Sequence, residues 1–398
     1  MPAEALRVAL IAGPMYDRLN RAIPRFERES GIRVRVAFRA AHPDLNAHYD
    51  TLPTAPYDLI STHTKYAPAQ LRLLAPLDSF ARALDLAGFA KPLLDLARID
   101  GRLYGLPRTV DFKLLHYRTD LMDAPPETWD ELCRTARRLT SQDRFGFVFC
   151  GRDSGLFGIF YELAEMAGAK IFTAGQAPDV NQAGARWALE TLRDLYRHAS
   201  PAELTGWHYA EVHRFFLEGS AAMVCDWPAY YASYRKGRDS KVKKRFSLAR
   251  MPAGPEGRRA YSGCHTFALT PAGVRKPAAV ELLRFLTAPE QQLLEAAQGA
   301  IPTRTASRQE AEAADPAESG RWKLIGQVLK TDLLVPPAIP YYPAVEEVLW
   351  HGVQAAITSE MTIREALSLM QTRFSELHRA YRHLPAAGAK RVKEGSCD

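Results

Sequence analysis

The sequence predicts an α/β protein in which strands of a mostly parallel sheet alternate with helices. Two observations near the N-terminus support this prediction. Residues 6–11 (LRVALI) read as a buried strand, and a turn and a segment with helical apolar spacing follow them. Gly31 then suits the end of that helix, and 32–36 alternate apolar and polar residues as a strand does. Such strand–helix–strand units place helices on both faces of a sheet.

The later elements follow the same logic along the chain. Pro24 lies inside the first helical pattern and predicts a kink or a late helix start there. Residues 57–61 (YDLIS) predict a short buried strand, and the polar stretch 307–320 predicts an exposed connection or a solvated helix. Further helix starts are predicted by two Thr-x-x-Glu capping boxes and by prolines suited to a first turn: Thr128 with Glu131, Thr362 with Glu365, Pro277 and Pro289.

Composition excludes several classes of protein. Of 398 residues, 47% are hydrophobic and 24% are charged, which is ordinary for a globular protein with a sizeable core and not for a disordered or fibrous one. We find no apolar run near the ~20 residues of a membrane helix. The net charge of +7 is compatible with steering an anion, but no nucleic-acid-binding module surrounds the basic stretch 235–245.

Motifs for catalysis and metal binding are absent from the sequence. There is no dinucleotide-binding, phosphate-loop, HExxH or EF-hand pattern. The five cysteines include no CxxC, which argues against a disulfide scaffold or a zinc ribbon but leaves one bridge open. The first six residues lack the basic and apolar regions of a signal peptide, so we expect either a cytoplasmic protein or a trimmed chain.

Eight short motifs occur in consecutive order along the chain: 57–60 with 73–78 (LLAPLD), 100–107 (DGRLYGLP), 110–118 (VDFKLLHYR), 125–132 (PPETWDEL), 216–223 (FLEGSAAM), 226–227 (DW), 262–265 (SGCH) and 299–304 (GAIPTR). Together and in this order they resemble one family, the bacterial extracellular solute-binding proteins of ABC importers, in the group similar to sugar-binding proteins. The series runs through most of the chain from residue 6 to about 380.

The resemblance implies a two-lobed periplasmic-binding-protein-like fold of type II. Hinge crossovers would join the lobes, and ligand would bind in the cleft between them. We expect an N-terminal lobe from 1–108 and 264–303, a C-terminal lobe from 109–263 and 304–383, and a disordered tail at 384–398.

The resemblance also implies ligand-binding residues, each with a structural alternative. Asp111 follows the first crossover, where the family often uses an acidic residue to accept hydrogen bonds from sugar hydroxyls; otherwise it is a surface turn residue. Trp227 stacks on a sugar ring or belongs to the core. Tyr16 follows the first strand and its turn, so it faces the cleft or packs its helix.

The chain departs from the family after the strand at 57–61. Sugar binders often carry an acidic or amide residue and then a Trp there, but this chain has Thr62-His63-Thr64-Lys65-Tyr66. Four potential cations are expected to gather at the mouth of the cleft, and they favour a ligand with a negative group. These four are His63, Lys65, Arg108 and Arg152, and the expected ligand-binding set is completed by Thr64, Gly263, Cys264, His265 and Arg304.

The resulting prediction is a binding protein without catalysis, metal or cofactor. It captures a small solute, a carbohydrate or a derivative such as an anionic sugar, and delivers it to the membrane subunits of an ABC permease. We expect a monomer without nucleic acid, periplasmic or extracellular, its signal peptide removed or omitted. Two alternatives stay open: a ferric-ion binding protein of the same fold, suggested by Tyr230-Tyr231 and Tyr341-Tyr342, and a carbohydrate-acting enzyme.

Overall fold

The structure is a computed structural model that describes residues 4–13, 16–172 and 178–381. The predicted disordered tail at 384–398 lies outside this part of the chain. The strands are β1 (Leu6–Ile11), β2 (Val34–Ala40), β3 (Leu59–His63), β4 (Arg98–Ile99), β5 (Arg102–Leu103), β6 (Leu106–Phe112), β7 (Leu114–Arg118), β8 (Phe145–Val148), β9 (Ala221–Asp226), β10 (Phe246–Ala249), β11 (Ala260–Leu269) and β12 (Leu333–Leu334).

Helices are interspersed with these strands along the whole chain. They are α1 (Asp17–Asn20), α2 (Ile23–Ser30), α3 (His42–Asp50), α4 (Lys91–Asp95), α5 (Trp129–Leu139), α6 (Asp153–Met166), α7 (Ala183–Ala199), α8 (Tyr209–Leu217), α9 (Tyr231–Lys236), α10 (Pro277–Leu286), α11 (Pro289–Ala296), α12 (Thr305–Ala314), α13 (Ser319–Thr331), α14 (Tyr342–Thr358) and α15 (Ile363–Tyr381).

The predicted helix boundaries agree with local chemistry. Thr128 accepts a hydrogen bond from the Glu131 backbone N–H at 3.2 Å and starts α5. The first helical pattern is split into α1 and α2, with Pro24 in the first turn of α2. Gly31 ends α2 with φ 72°, a left-handed conformation that glycine adopts without steric cost.

The first sheet has the order β12-β11-β3-β1-β2, with β6 also paired to β11. Strand β1 runs parallel to both β2 and β3, as the sequence predicts. Strand β11 is antiparallel to β3 and to β6, which makes the sheet mixed. The carboxyl ends of β1, β2 and β3 therefore lie at one edge, where ligands bind in open α/β sheets.

The second sheet has the order β10-β7-β9-β8. Helices α5, α6, α7, α14 and α15 pack around it and share one large apolar core with its strands. The first sheet has separate apolar clusters of its own. The molecule therefore has two α/β lobes, and the fold class predicted from the sequence is confirmed.

The chain crosses from one sheet to the other a few residues away from the predicted lobe boundaries. Strand β6 pairs with β11 along residues 106–112, and β7 joins the second sheet at Leu114, so Lys113 marks the first crossing. The second crossing lies between β10 and β11. The predicted boundaries at 108 and 263 fall inside β6 and β11, because strand pairing continues through them. The lobe ranges themselves stay a prediction.

Two expectations from composition can be followed in the described residues. None of the helices there combines the length and the apolar character that a membrane span requires. Cys133, Cys150, Cys225 and Cys264 are free thiols in the same part of the chain.

Candidate ligand-binding site

A cavity of about 240 Å³ lies between the two lobes. From the first sheet and its following loops it is lined by Gly13, Tyr16, His42, His63 and Lys65. From the second lobe it is lined by Ser154, His208, Tyr209, Trp227 and Tyr230. Residues 261–263 and His265 of β11, with Asp111 of β6, complete it. Because both lobes contribute, a molecule bound here would contact both at once.

The floor of the cavity is built by cross-strand neighbours. His63 at the end of β3 is paired directly with His265 of β11, and Asp111 of β6 is paired with Gly263. Side chains alternate along a strand, so Gly263 and His265 share a face. A Cβ on Gly263 would lie 2.3 Å from His63 Cε1, and the missing side chain thus makes room for the imidazole.

Three polar side chains meet on this floor. The Oδ2 atom of Asp111 lies 3.3 Å from Nε2 of His265, and the Tyr16 hydroxyl lies 2.8 Å from the same nitrogen. Burial raises the pKa of Asp111 to about 8, although nearby Arg108 opposes the shift. Burial also lowers the pKa of His63 and His265 well below the ordinary value. Burial thus favours the neutral forms of both imidazoles and of the Asp111 carboxyl group.

Aromatic side chains form the walls of the cavity. Trp227 follows β9 and packs edge-on against Tyr209, with ring centroids 5.4 Å apart. On the other lobe, the ring of Tyr16 contacts that of His265 at 4.8 Å. Flat aromatic faces beside hydrogen-bonding groups suit a ligand with apolar and hydroxyl-bearing sides.

The predicted site residues fall into two groups. Seven of the twelve line the cavity together: Tyr16, His63, Lys65, Asp111, Trp227, Gly263 and His265. Thr64 and Cys264 lie just outside it, where the Thr64 hydroxyl accepts a hydrogen bond from the Cys264 N–H at 3.0 Å. The Cys264 side chain is buried in an apolar cluster with Phe112 and Ile301, because it alternates away from the floor.

The expectation of a cationic mouth is wrong, because each cation has a partner within the protein. Lys65 pairs with Glu346 at 2.8 Å, and Arg108 binds Glu295 through Nε at 2.7 Å. Arg152 pairs with Asp153 and donates to the Gly206 carbonyl. Arg304, predicted as a binding residue but not as part of this mouth, pairs with Asp85 at 2.6 Å and does not line the cavity. His63 is neutral, so the cluster gives no support to an anionic ligand.

The tyrosine pairs that suggested iron binding do not converge either. Tyr230 lines the cavity, but Tyr231 donates a hydrogen bond to Glu318 elsewhere. Tyr342 is fully buried in the core of the second lobe, and Tyr341 contacts His378. Four phenols that point to different parts of the molecule cannot hold one ion.

Sequence reasoning missed several lining residues: His42, Ser154, His208, Tyr209 and Tyr261. A signal existed for His42, which opens α3 directly after parallel strand β2, where cleft residues are expected. His208 caps α8 and so reads as a helix-start residue. Tyr209 and Tyr261 look like ordinary core aromatics, and nothing in their spacing distinguishes them.

Two α/β lobes around a shared cavity are the architecture of two-lobed binding proteins. The chain belongs to the family of bacterial extracellular solute-binding proteins, whose sequence pattern matches residues 21–319. A "probable ABC transporter-binding protein" of Deinococcus radiodurans is 30% identical over 214 residues, 50% of this chain and 51% of that protein. The chain thus spans about half the length of this curated relative.

Solved structures agree with the fold. Maltose-bound MalE3 of T. maritima superposes with a TM-score of 0.84 at 24% identity, covering 94% of this chain and 100% of that one. A solute-binding protein of Agrobacterium vitis S4 with bound D-mannitol has a TM-score of 0.82 at 20% identity, covering 95% and 99%. A further relative was found by sequence. The maltodextrin-binding protein MdxE of Bacillus subtilis is 26% identical over 172 residues, 40% of this chain and 39% of that protein.

Proposed function

We propose that the protein captures one small, uncharged polyhydroxylated solute, a single sugar ring or a short polyol, for an ABC importer. The observation that carries this proposal is the cavity itself. It is shared by both lobes, has aromatic walls and neutral hydrogen-bonding groups on its floor, and its only lysine is already paired. Family membership and the sugar- and polyol-bound structural neighbours support it.

The size of the cavity favours a small ligand. At about 240 Å³ it is below the ~300–1,000 Å³ typical of pockets for drug-sized molecules. A long oligosaccharide would require the lobes to stand further apart. A six-carbon sugar or polyol would place an apolar face on Trp227 and its hydroxyls near Asp111 and the histidines.

Binding in this proposal works by hinge closure. A solute that contacts the floor and the Trp227 wall together favours the state in which the lobes meet. The closed, loaded monomer would then dock on the permease in the periplasm or at the cell surface. No bond in the solute is broken, which separates this function from a carbohydrate-acting enzyme.

A thermal-shift screen of neutral sugars, polyols, sugar acids and sugar phosphates tests the proposal. A ligand that binds the folded state raises the melting temperature. At a ligand concentration a hundred times its Kd, the folded state gains about 2.7 kcal/mol of stability. We expect hits among neutral sugars or polyols, followed by calorimetric binding without product formation. Small-angle scattering with the saturating hit should show compaction. Turnover of the hit, or hits confined to anions, would contradict the proposal.

A further inference from the structure

We propose that His63, Asp111 and His265 form a binding site for one divalent first-row transition-metal ion, such as Zn²⁺, on the floor of the cleft. One ligand atom of each residue lies within 4.8 Å of the other two. All three residues are less than a tenth exposed, and all three line the cavity, so an ion could enter from it.

The chemistry of the three side chains matches such an ion. Two imidazoles and one carboxylate are the set that binds zinc, iron and related ions while leaving coordination positions open. Neutral imidazole is the form that binds a metal. Softer thiolate ligands are absent here, since the Cys264 side chain lies in the apolar cluster behind the floor.

The hydrogen bonding of the floor is incomplete without a cation or a proton. Asp111 Oδ2 is buried and has no hydrogen-bond partner among the described residues. When the Tyr16 hydroxyl donates to His265 Nε2, it occupies the single lone pair of that nitrogen, which then has no proton to offer Asp111 Oδ2 3.3 Å away. An ionised Asp111 and this nitrogen repel one another unless something positive lies between them. A metal ion would bind both atoms, and the Tyr16 hydroxyl would release the nitrogen.

The geometry requires a modest adjustment of His63. Metal–ligand bonds of about 2.0–2.2 Å bring ligand atoms closer together than 4.8 Å. His63 Nδ1 accepts a hydrogen bond of 3.2 Å from the Lys65 backbone N–H. This bond places the proton of the neutral ring on Nε2. An ion bound at Nε2 requires the other neutral tautomer, with the proton on Nδ1, so the long hydrogen bond from Lys65 would be given up. The strands that carry the other two ligands need not move.

The inference goes beyond solute capture and does not depend on which solute binds. Because all three residues line the cavity, a water molecule or a hydroxyl oxygen of a solute could complete the coordination of the ion. Ion binding can therefore be measured in the absence of any sugar.

The test uses tag-free, chelator-treated full-length protein titrated with Zn²⁺ by calorimetry and with Co²⁺ by visible absorption. We expect one ion per chain and a Co²⁺ spectrum typical of nitrogen and oxygen ligands. Asp111→Asn and His265→Gln should each weaken metal binding at least ~10-fold. Removal of a residue that only hydrogen-bonds to a metal ligand already costs about that much affinity, so removal of a ligand itself should cost no less. Asp111→Asn preserves shape and mimics the protonated carboxyl group, so it should fold.

Surface histidines supply the matched control. His198 lies 3.9 Å from Asp194 and His351 lies 2.9 Å from Glu347, both one helical turn apart, and such pairs can bind metal adventitiously. The double variant His198→Gln/His351→Gln should keep the full affinity. Loss of binding in this variant, with retention in both cleft variants, would overturn the proposal, as would absence of binding to wild type. Should a cleft variant unfold by circular dichroism, His63→Gln replaces it.

Discussion

Lys65 and Glu346 form a buried ion pair between the two lobes, with Nζ and Oε1 2.8 Å apart. Lys65 follows β3 of the first sheet, and Glu346 lies on α14 of the second lobe. The hydroxyl of Tyr66 also donates to Glu346, at 2.5 Å, and the Lys65 ammonium donates to the Tyr261 hydroxyl at 2.9 Å. Burial lowers the pKa of Lys65, and the Glu346 carboxylate opposes that shift.

Glu346→Gln should destabilise the protein by about 3 kcal/mol, because it leaves a buried ammonium without its counter-charge. Urea unfolding monitored by circular dichroism measures this loss. Glu347→Gln is the control on the same helix, since Glu347 pairs with His351 in solvent and should change stability by less than about 1 kcal/mol. Equal effects of the two substitutions would show that the buried Lys65–Glu346 pair contributes no more to stability than the exposed Glu347–His351 pair.

Trp227→Ala should weaken binding of the solute found in the screen by roughly ten- to a hundred-fold, equivalent to about 1–3 kcal/mol of lost aromatic contact. Trp227→Phe should retain part of the affinity. Trp350, a half-buried residue of α14 that donates to Glu347 and does not line the cavity, provides the control, and Trp350→Ala should bind normally. An unfolded Trp227→Ala protein that Trp227→Phe does not rescue would make Trp227 a core residue rather than a ligand contact.

Solute affinity should be nearly independent of ionic strength, because the cations near the cleft are paired within the protein. Salt screens the attraction between an exposed cation and an anionic ligand, so the affinity for such a ligand falls as the ionic strength rises. A neutral ligand makes no such interaction, and its affinity should stay the same. Calorimetry of a neutral sugar and its acid counterpart at two salt concentrations checks this, with Arg152→Ala expected to bind normally. If the acid binds more tightly than the neutral sugar and salt weakens its binding, the ligand is anionic and the proposal of an uncharged solute is wrong.

Acid should destabilise the second lobe through His116, which is fully buried among Phe216, Tyr234 and Phe246. Burial lowers its pKa to about 4, against a raising effect of Asp226, while His213 and Arg321 lower it further. The unfolded chain takes up this proton near pH 6.5, so stability falls as the pH drops from about 6.5 towards 4.

Between pH 7.5 and 5 the loss assigned to His116 should be about 2 kcal/mol. His116→Phe removes the titration and should flatten that part of the stability curve measured by urea unfolding. Burial also lowers the pKa of His42 and His208 to about 3 and that of His63 and His265 well below the ordinary value, so these four keep a residual slope in the variant. An unchanged slope in His116→Phe would assign the acid sensitivity to those four histidines.

Local chemistry made much of the fold predictable. The capping box at Thr128 and the glycine at position 31 act through neighbours within a few residues, and the structure confirms both. The crossing at Lys113 was missed because a continuous run of strand-forming residues, 106–118, serves two sheets. Only pairing with β11 on one side and β9 on the other divides it.

Only part of the candidate site could be predicted from the sequence, because some of its contacts join residues that are far apart along the chain. Residues at strand ends, such as Tyr16 and His63, can be placed from the α/β pattern alone. The partners that neutralise the cations cannot, because Glu346 is 281 residues from Lys65 and Glu295 is 187 from Arg108. Charge counted along a sequence therefore overstated the charge that faces the cleft.

The side-by-side pairing of β6 and β11 has a consequence for the order of events during capture. Asp111 and His265 belong to neighbouring strands of one sheet, so rotation of the second lobe leaves the distance between them unchanged. In the proposed hinge closure, an arriving molecule would meet this surface already assembled, before the second lobe brings Trp227 over it. The association rate would then be set by the exposed first lobe, and the dwell time by contacts that hold the second lobe closed. Weakening the Lys65–Glu346 pair should accordingly hasten release while leaving the speed of capture unchanged.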